Sequence, residues 1–242
     1  LEIRKLIGYL PETPPLYSDM VVTDFLAFAS RLRNISSRET PLAVERVIEQ
    51  CSLKEVKNRI IGRLSKGYQQ RVGIAQALVH NPDILILDEP TIGLDPIQII
   101  EIRKLIQDLA SSHTIILSSH ILPEITQICK RVIIISDGEI AAVDSLEALT
   151  TRLRKGERLI LKLRHSNNET IGKLRTLKKI NTVIEDQTGQ FTIDCDPQAN
   201  IQDNIAQISI DNNWGIIELK PASVTLEEIF LKLTVEENEV QQ

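Results

Sequence analysis

The spacing of apolar positions changes character twice along the chain. In "DFLAFASRLR" (24–33), Phe25, Leu26, Phe28, Ala29 and Leu32 recur at three- and four-residue intervals, the spacing of one helix face. Thr23 stands where that helix would be capped. "SSRETP" (36–41) opens a second helix through "LAVERVIEQCSL", and "LSKGYQQRVGIAQALVH" (64–80) reads as a third, stopped by Asn81-Pro82. Short aliphatic runs then take over: "DILILDEP" (83–90), "HTIILSSH" (113–120) and "RVIIIS" (131–136), with a turn at Asp137-Gly138 into "EIAAV". Between the first three lie the helical patterns "PIQIIEIRKLIQDLA" (96–110) and "ILPEITQICK" (121–130). With a short strand at 5–10, "KLIGYL", before a proline-rich loop, this alternation predicts buried strands in a parallel sheet covered on both faces. Right-handed crossovers then line up the strand C-terminal ends on one rim.

Past residue 150 the order becomes strand "RLILKLR" (158–164), helix "NETIGKLRTLKKI" and hairpin "TVIEDQTGQFTIDCD" with Thr188-Gly189 at its turn. Helix "ANIQDNIAQISIDNNW", strand "GIIELKPA" and closing helix "TLEEIFLKL" follow. That βαββαβ order predicts a small α+β ferredoxin-like domain. The expected division is an α/β domain over 1–150 and an accessory domain over 151–242, joined by the polar, basic stretch "TTRLRKGE" (150–157).

Composition narrows the function classes. The chain has 242 residues, 42% hydrophobic and 25% charged, with a net charge of −5. That leaves no basic footprint for nucleic acid, and the expected strands of the second domain offer only Phe191 as an aromatic for base stacking. The longest purely aliphatic runs span four residues, so direct insertion into a bilayer is not expected. Cys51, Cys129 and Cys195 are scattered and odd in number, as buried reduced thiols of a cytoplasmic protein would be.

Four stretches carry candidate chemistry. Asp88 and Glu89 end a buried strand, on the rim where parallel sheets bind ligands. Asp88 can hold Mg²⁺ and Glu89 can polarise a water; the plain alternative is a solvated strand end. His120 follows the next strand and would share that rim if the two strands are neighbours; otherwise it caps or packs. "GLDP" (93–96) is a turn in which Asp95 caps a helix and Pro96 takes its first position. In "LSKGY", Ser65 can cap a helix and Gly67 lets backbone amides approach an anion; an ordinary capped helix is the alternative.

In this order the four stretches resemble the nucleotide-binding subunits of ABC transporters. "LSKGYQQR" is similar to the signature motif, "ILILDEP" to Walker B, "GLDP" to the D-loop and "SSH" to the switch histidine. The resemblance covers residues 1 to about 150, with 20–80 as the helical signature subdomain. "GYLPE…PLY" with "LSKGY" looks like ABC-2-type exporter ATPases, including the gliding-motility-associated branch. The resemblance implies a P-loop NTPase parallel-sheet domain, ATP and Mg²⁺ as cofactors, and an enzyme that couples ATP-driven dimerisation to export. It implies a transmembrane permease subunit and a second ATPase subunit, homodimeric or paralogous, as partners, and a place on the inner face of the membrane through the permease. Glu89 and His120 would be catalytic, Asp88 and Glu12 would serve the metal, and Glu12, Ser65, Lys66, Gly67 and Asp95 would bind the cofactor, with Ser65 and Gly67 facing a phosphate held by the partner subunit.

Three departures qualify this. Glu12 stands where the family usually has glutamine, and Lys66 and Tyr68 replace a glycine and a glutamine of the common signature. Lys66 either adds a cation beside phosphate or is solvated. No G-x-x-x-x-G-K-[ST] loop occurs: Gly62 and Gly67 have the glycine spacing, but Tyr68 and Gln69 fill the Lys and Ser/Thr places, and Gly172-Lys173 is followed by Leu174. The expectation is an N-terminally truncated piece, inactive by itself. The competing readings are a non-catalytic dimerisation or interaction module and a chromosome-maintenance ATPase of the same superfamily. The latter needs a long coiled coil before the signature, and no heptad run stands there.

Overall fold

The computed structural model describes residues 2–145, 148–149, 157–167, 169–196, 201–222 and 226. Contacts divide the chain into two compact units, Leu1–Ile128 and Cys129–Gln242. The expected junction at 150–157 and the closing helix at 225–233 lie outside the described residues, apart from Glu157 and Leu226.

The first unit starts with one helical turn, α1 (Ile3–Leu6), where a strand from residue 5 is expected; strand β1 is confined to Ile7–Leu10. Helices α2 (Val22–Leu32), α3 (Thr40–Gln50) and α4 (Lys66–Leu78) follow. Phe25, Leu26 and Ala29 of α2 are buried with Val44, Val47 and Ile48 of α3, as their helical spacing requires. Thr23 does not cap α2. It lies inside the helix, Val21 holds the cap position, and the Thr23 hydroxyl donates to the Lys57 carbonyl at 2.8 Å. A backbone carbonyl from a loop 34 residues away outcompetes the local capping bond.

Strand β2 (Ile84–Asp88), helix α5 (Pro96–Leu109), strand β3 (Thr114–Ser118) and helix α6 (Leu122–Ile128) complete the unit. The sheet is parallel with order β1-β2-β3, and its register sets Leu10 beside Leu87 and Asp88 beside Ser118. Leu10, Leu85 and Leu87 are fully buried. β3 differs from expectation: it is the sheet's edge among the described residues, and Ile116 is 52% exposed. Helix α4 crosses close to β1 because residue 8 is glycine; a Cβ there would stand 2.3 Å from the Ala77 carbonyl oxygen.

In the second unit, β4 (Arg131–Ser136) and β5 (Glu139–Ser145) form an antiparallel two-stranded sheet. The parallel arrangement expected of β4 is therefore wrong. A two-residue turn at Asp137-Gly138, both with positive φ, returns the chain directly alongside itself, whereas a parallel addition needs a crossover. Strand β6 (Glu157–Leu163), helix α7 (Thr170–Arg175), strands β7 (Ile180–Gln187) and β8 (Gln190–Cys195), helix α8 (Gln202–Asp211) and strand β9 (Ile216–Pro221) follow the expected βαββαβ order. Their sheet is antiparallel with order β7-β8-β6-β9, the ferredoxin-like arrangement. Phe191 is wholly buried in its core with Leu161, Ile193, Ile205 and Trp214, so it is a packing residue.

Candidate functional site

The rim of the parallel sheet is built where three strands end. Asp88 closes β2, and its register partner Ser118 closes β3. The Ser118 hydroxyl donates to Asp88 Oδ1 at 2.5 Å, and the Tyr9 hydroxyl of β1 donates to Oδ2 at 3.4 Å. Both neighbouring strands therefore aim at one carboxylate. Neither Tyr9 nor Ser118 is singled out by its sequence context; only the register identifies them.

Glu89 follows with a φ of +46°, a region that costs a non-glycine residue about 1–2 kcal/mol. Its backbone N–H donates to both the carbonyl and the hydroxyl of Ser118, each at 3.2 Å, and these bonds hold the turn. The turn carries the side chain inward, leaving it only 17% exposed. Oε1 accepts the His120 backbone N–H at 2.9 Å and lies 2.9 Å from Nδ1 of the same histidine. Oε2 is buried with no hydrogen-bond partner among the described residues. Glu89 and His120, 31 residues apart, are thus joined as their strand ends require. The His120 ring is 66% exposed. Its pKa is raised above the ordinary histidine value, first by the hydrogen bond to Glu89, then by that carboxylate's charge, with smaller contributions from Glu12 and Glu124.

The second group forms where α4 begins against α5. Ser65 caps α4 in an extended conformation, its hydroxyl accepting Tyr68 N–H at 3.4 Å. Asp95 caps α5, accepting Gln98 N–H at 2.9 Å, with Pro96 at the first position. A Cβ on Gly67 would stand 2.8 Å from the Gln98 side chain, so the two helix starts touch. Arg71 strengthens the pairing through a 2.6 Å ion pair with Glu101 of α5. The Lys66 ammonium lies against Gly93 and makes no hydrogen bond or ion pair among the described residues. Glu12, exposed in the loop after β1, shares with Lys66 a cleft of about 440 Å³ that Pro14, Gln69, Gln70 and Ile92 also line. The structure thus gathers seven of the eight expected residues into a carboxylate–histidine rim (Asp88, Glu89, His120) and a helix-start cluster (Ser65, Lys66, Gly67, Asp95). Glu12, the eighth, lines the cleft beside Lys66 and adds a small charge effect at His120.

The donor set suits a phosphate with a hard cation. Among the described residues no group of three or more His, Cys, Asp or Glu is placed to cage a metal ion. Asp88 and Glu12 offer oxygen donors of the kind Mg²⁺ takes one or two of when phosphate and water supply the rest. The unpartnered Glu89 Oε2 marks where a polar group would complete the rim.

A family model described as "ABC transporter" matches residues 2–92. The chain is 40% identical over 146 residues to the ABC transporter ATP-binding protein YxlF of Bacillus subtilis, a match covering 60% of this chain and 50% of that protein. It is 32% identical over 235 residues to the bacitracin transport ATP-binding protein BcrA of Bacillus licheniformis, covering 96% of this chain and 74% of that one. A solved structure of an ATP-binding subunit of an ABC transporter shares 28% identity at a TM-score of 0.53, over 62% of each chain. The chain thus spans between half and three-quarters of the length of these curated relatives. A parallel sheet with acidic residues at its rim is common to many nucleotide-binding folds, but a match along nearly the whole of this chain, accessory domain included, is not: the chain belongs to the family of ABC transporter ATP-binding proteins.

Proposed function

We propose that this chain supplies the hydrolytic rim and the signature helix of an ATPase subunit that drives an ABC-2-type membrane exporter. The observation that carries the reading is the state of Glu89. Its backbone is held in a costly conformation, one carboxylate oxygen is tied to His120, and the other is buried and unpartnered. Oε2 would give up no hydrogen bond on taking a proton, but it is covered in this structure, so a water must first be admitted beside it. When bound, MgATP supplies the phosphoryl group and the cation that offsets its charge. Asp88 offers that cation a carboxylate whose orientation Ser118 and Tyr9 set, and Glu12 offers a second from the loop after β1. His120 holds Glu89 in place and presents its ring to solvent beside it. Ser65 and the amides at Gly67 present a helix start to an anion, with Lys66 adjacent and Asp95 holding the neighbouring helix.

A helix N-terminus contributes roughly 0.3–2 kcal/mol toward an anion, whereas millimolar affinity already needs about 4 kcal/mol. Ser65 and Gly67 therefore complete a site whose phosphates are held elsewhere, on a second ATPase subunit. Export follows from a transmembrane permease partner, which seats this chain on the inner face of the membrane and selects the substrate; among the described residues no helix is long and apolar enough to cross a bilayer. Some relatives are named for bacitracin transport.

The test has two arms. Residues 1–242 alone, lacking a lysine-bearing phosphate loop, should show no saturable MgATP binding at micromolar concentrations by isothermal titration. With a P-loop segment supplied, Glu89→Gln should lower turnover by about 10²–10⁴-fold and leave ATP binding intact. Turnover within a fewfold of the parent would remove Glu89 from the base role.

A further inference from the structure

The segments carrying Glu89 and His120 are joined a second time, away from solvent. Thr91, 2% exposed, donates its hydroxyl to Oε2 of Glu124, 3% exposed, at 2.5 Å. Thr91 lies two residues beyond Glu89, in a turn closed by Ile92 N–H donating to the Glu89 carbonyl at 3.1 Å. Glu124 lies four residues beyond His120, in the first turn of α6, with its N–H donating to the Ile121 carbonyl at 2.9 Å. Arg103 of α5 reaches the same carboxylate, Nη2 to Oε1 at 3.5 Å, and its Nη1 donates to Gln127 Oε1. A polar cluster with Thr91 and Glu124 at its buried centre and Arg103 and Gln127 toward its rim thus ties the turn after β2, the helix after Asp95 and the helix after His120.

We infer that Thr91 and Glu124 are positioning residues that hold the Glu89–His120 pair together. The direct contacts between those two, from the His120 backbone N–H and from its exposed ring to Glu89 Oε1, are both within reach of water, so their net worth is small. The Thr91–Glu124 bond has no such competitor. Breaking it strands a buried hydroxyl or carboxylate, so the two backbone segments stay in register even when the His120 ring swings away. An apolar pair could fill the same space without desolvating a charge; what the polar pair adds is orientation. The catalytic meaning of this rests on the ATPase reading above, while the geometry does not.

Amide hydrogen exchange in the full chain tests it without nucleotide. The probe is the His120 N–H, which donates to Glu89 Oε1, and the control is Ile86 in the middle of β2. Thr91→Val, which keeps shape and removes the hydroxyl, should speed exchange at His120 by about tenfold, the worth of one buried hydrogen bond. Ile86 should be unchanged, and Thr91→Ser should restore His120 to within about twofold of the parent. Thr91→Ala serves as a second hydroxyl deletion should valine not be accommodated. Where turnover is measurable, Thr91→Val should lower kcat with KM for MgATP unchanged. Exchange at His120 within about twofold of the parent, or equal acceleration at Ile86, overturns the proposal. Faster exchange with kcat unchanged also overturns it, because the pair would then need no positioning. A P-loop-complemented parent without MgATP turnover would instead remove the ATPase reading, and the exchange result would still decide the geometry.

Discussion

Substituting alanine for Gly67 separates a glycine kept for a ligand from a glycine kept for packing. The three atoms nearest the added methyl all belong to the Gln98 side chain, with Cδ at 2.8 Å, Oε1 at 2.9 Å and Cγ at 3.0 Å. Gln98 is half-buried, and a change of its χ1 or χ2 rotamer moves all three atoms aside. Against that small repulsion stands the helix preference for alanine, about 0.5–1 kcal/mol. Folding stability should therefore change by no more than about 0.5 kcal/mol. Gly8→Ala is the calibrating opposite. Its methyl would stand 2.3 Å from the Ala77 backbone carbonyl, with Leu85 Cδ1 and Pro82 Cγ both at 3.0 Å. No rotamer relieves a backbone clash, so α4 must move away from β1, at a cost of about 1–3 kcal/mol. With an m-value near 2 kcal/mol per M of urea, the unfolding midpoint should fall by about 0.5–1.5 M for Gly8→Ala and stay within about 0.3 M for Gly67→Ala. Function should show the reverse order. A methyl at Gly67 keeps phosphate from the amides at the start of α4, and turnover in a P-loop-complemented protein should fall about tenfold or more. A midpoint loss for Gly67→Ala equal to that of Gly8→Ala would make Gly67 a packing residue. Unchanged turnover would remove it from the nucleotide site.

Two further predictions concern pH. The His120 ring should titrate above the ordinary histidine value, and Glu89→Gln should lower its midpoint, followed by NMR of the ring protons. Because the folded pKa is raised, the pairing with Glu89 is fully present below the unfolded value of about 6.5 and is lost as pH rises through the folded pKa; a midpoint at or below 6.5 would refute it. His80 is half-buried and its pKa is lowered by burial first, then by the Arg33 charge, against a hydrogen bond from Nε2 to the Ile7 carbonyl. Protonation would put a second N–H at the unpartnered Nδ1. The unfolded chain therefore takes up the proton first, and stability should fall as pH drops below about 6.5 toward the folded pKa. His80→Gln should flatten that slope in urea melts between about pH 5 and 7, and an unchanged slope would refute the assignment.

Much of the candidate site was legible because it is local. The caps at Ser65 and Asp95 are bonds to an N–H three residues on, so a short polar residue before an apolar helix announces them. Asp88 and Glu89 are marked by the aliphatic run that ends in them, and His120 by the run before it. In the second unit, strand and helix order alone implied the sheet that forms. What escaped the sequence depends on partners distant along the chain. Thr23 satisfies every local rule for a cap, yet its hydroxyl goes to Lys57. The runs 113–120 and 131–136 are both aliphatic, but β3 joins a parallel sheet as an edge and β4 folds back on β5. Hydrophobic content reports that a strand can be buried and says nothing of which neighbour it finds. The same gap hid Tyr9 and Ser118, which meet at Asp88 only through the register of three strands, and the Thr91–Glu124 bond, which spans 33 residues. The sequence by itself determined the chemical groups and the ends of the elements that carry them, because capping and periodicity act over a few residues. Tertiary structure alone decided which of those groups touch, because pairing strands and crossing helices bring together atoms that no short-range rule connects.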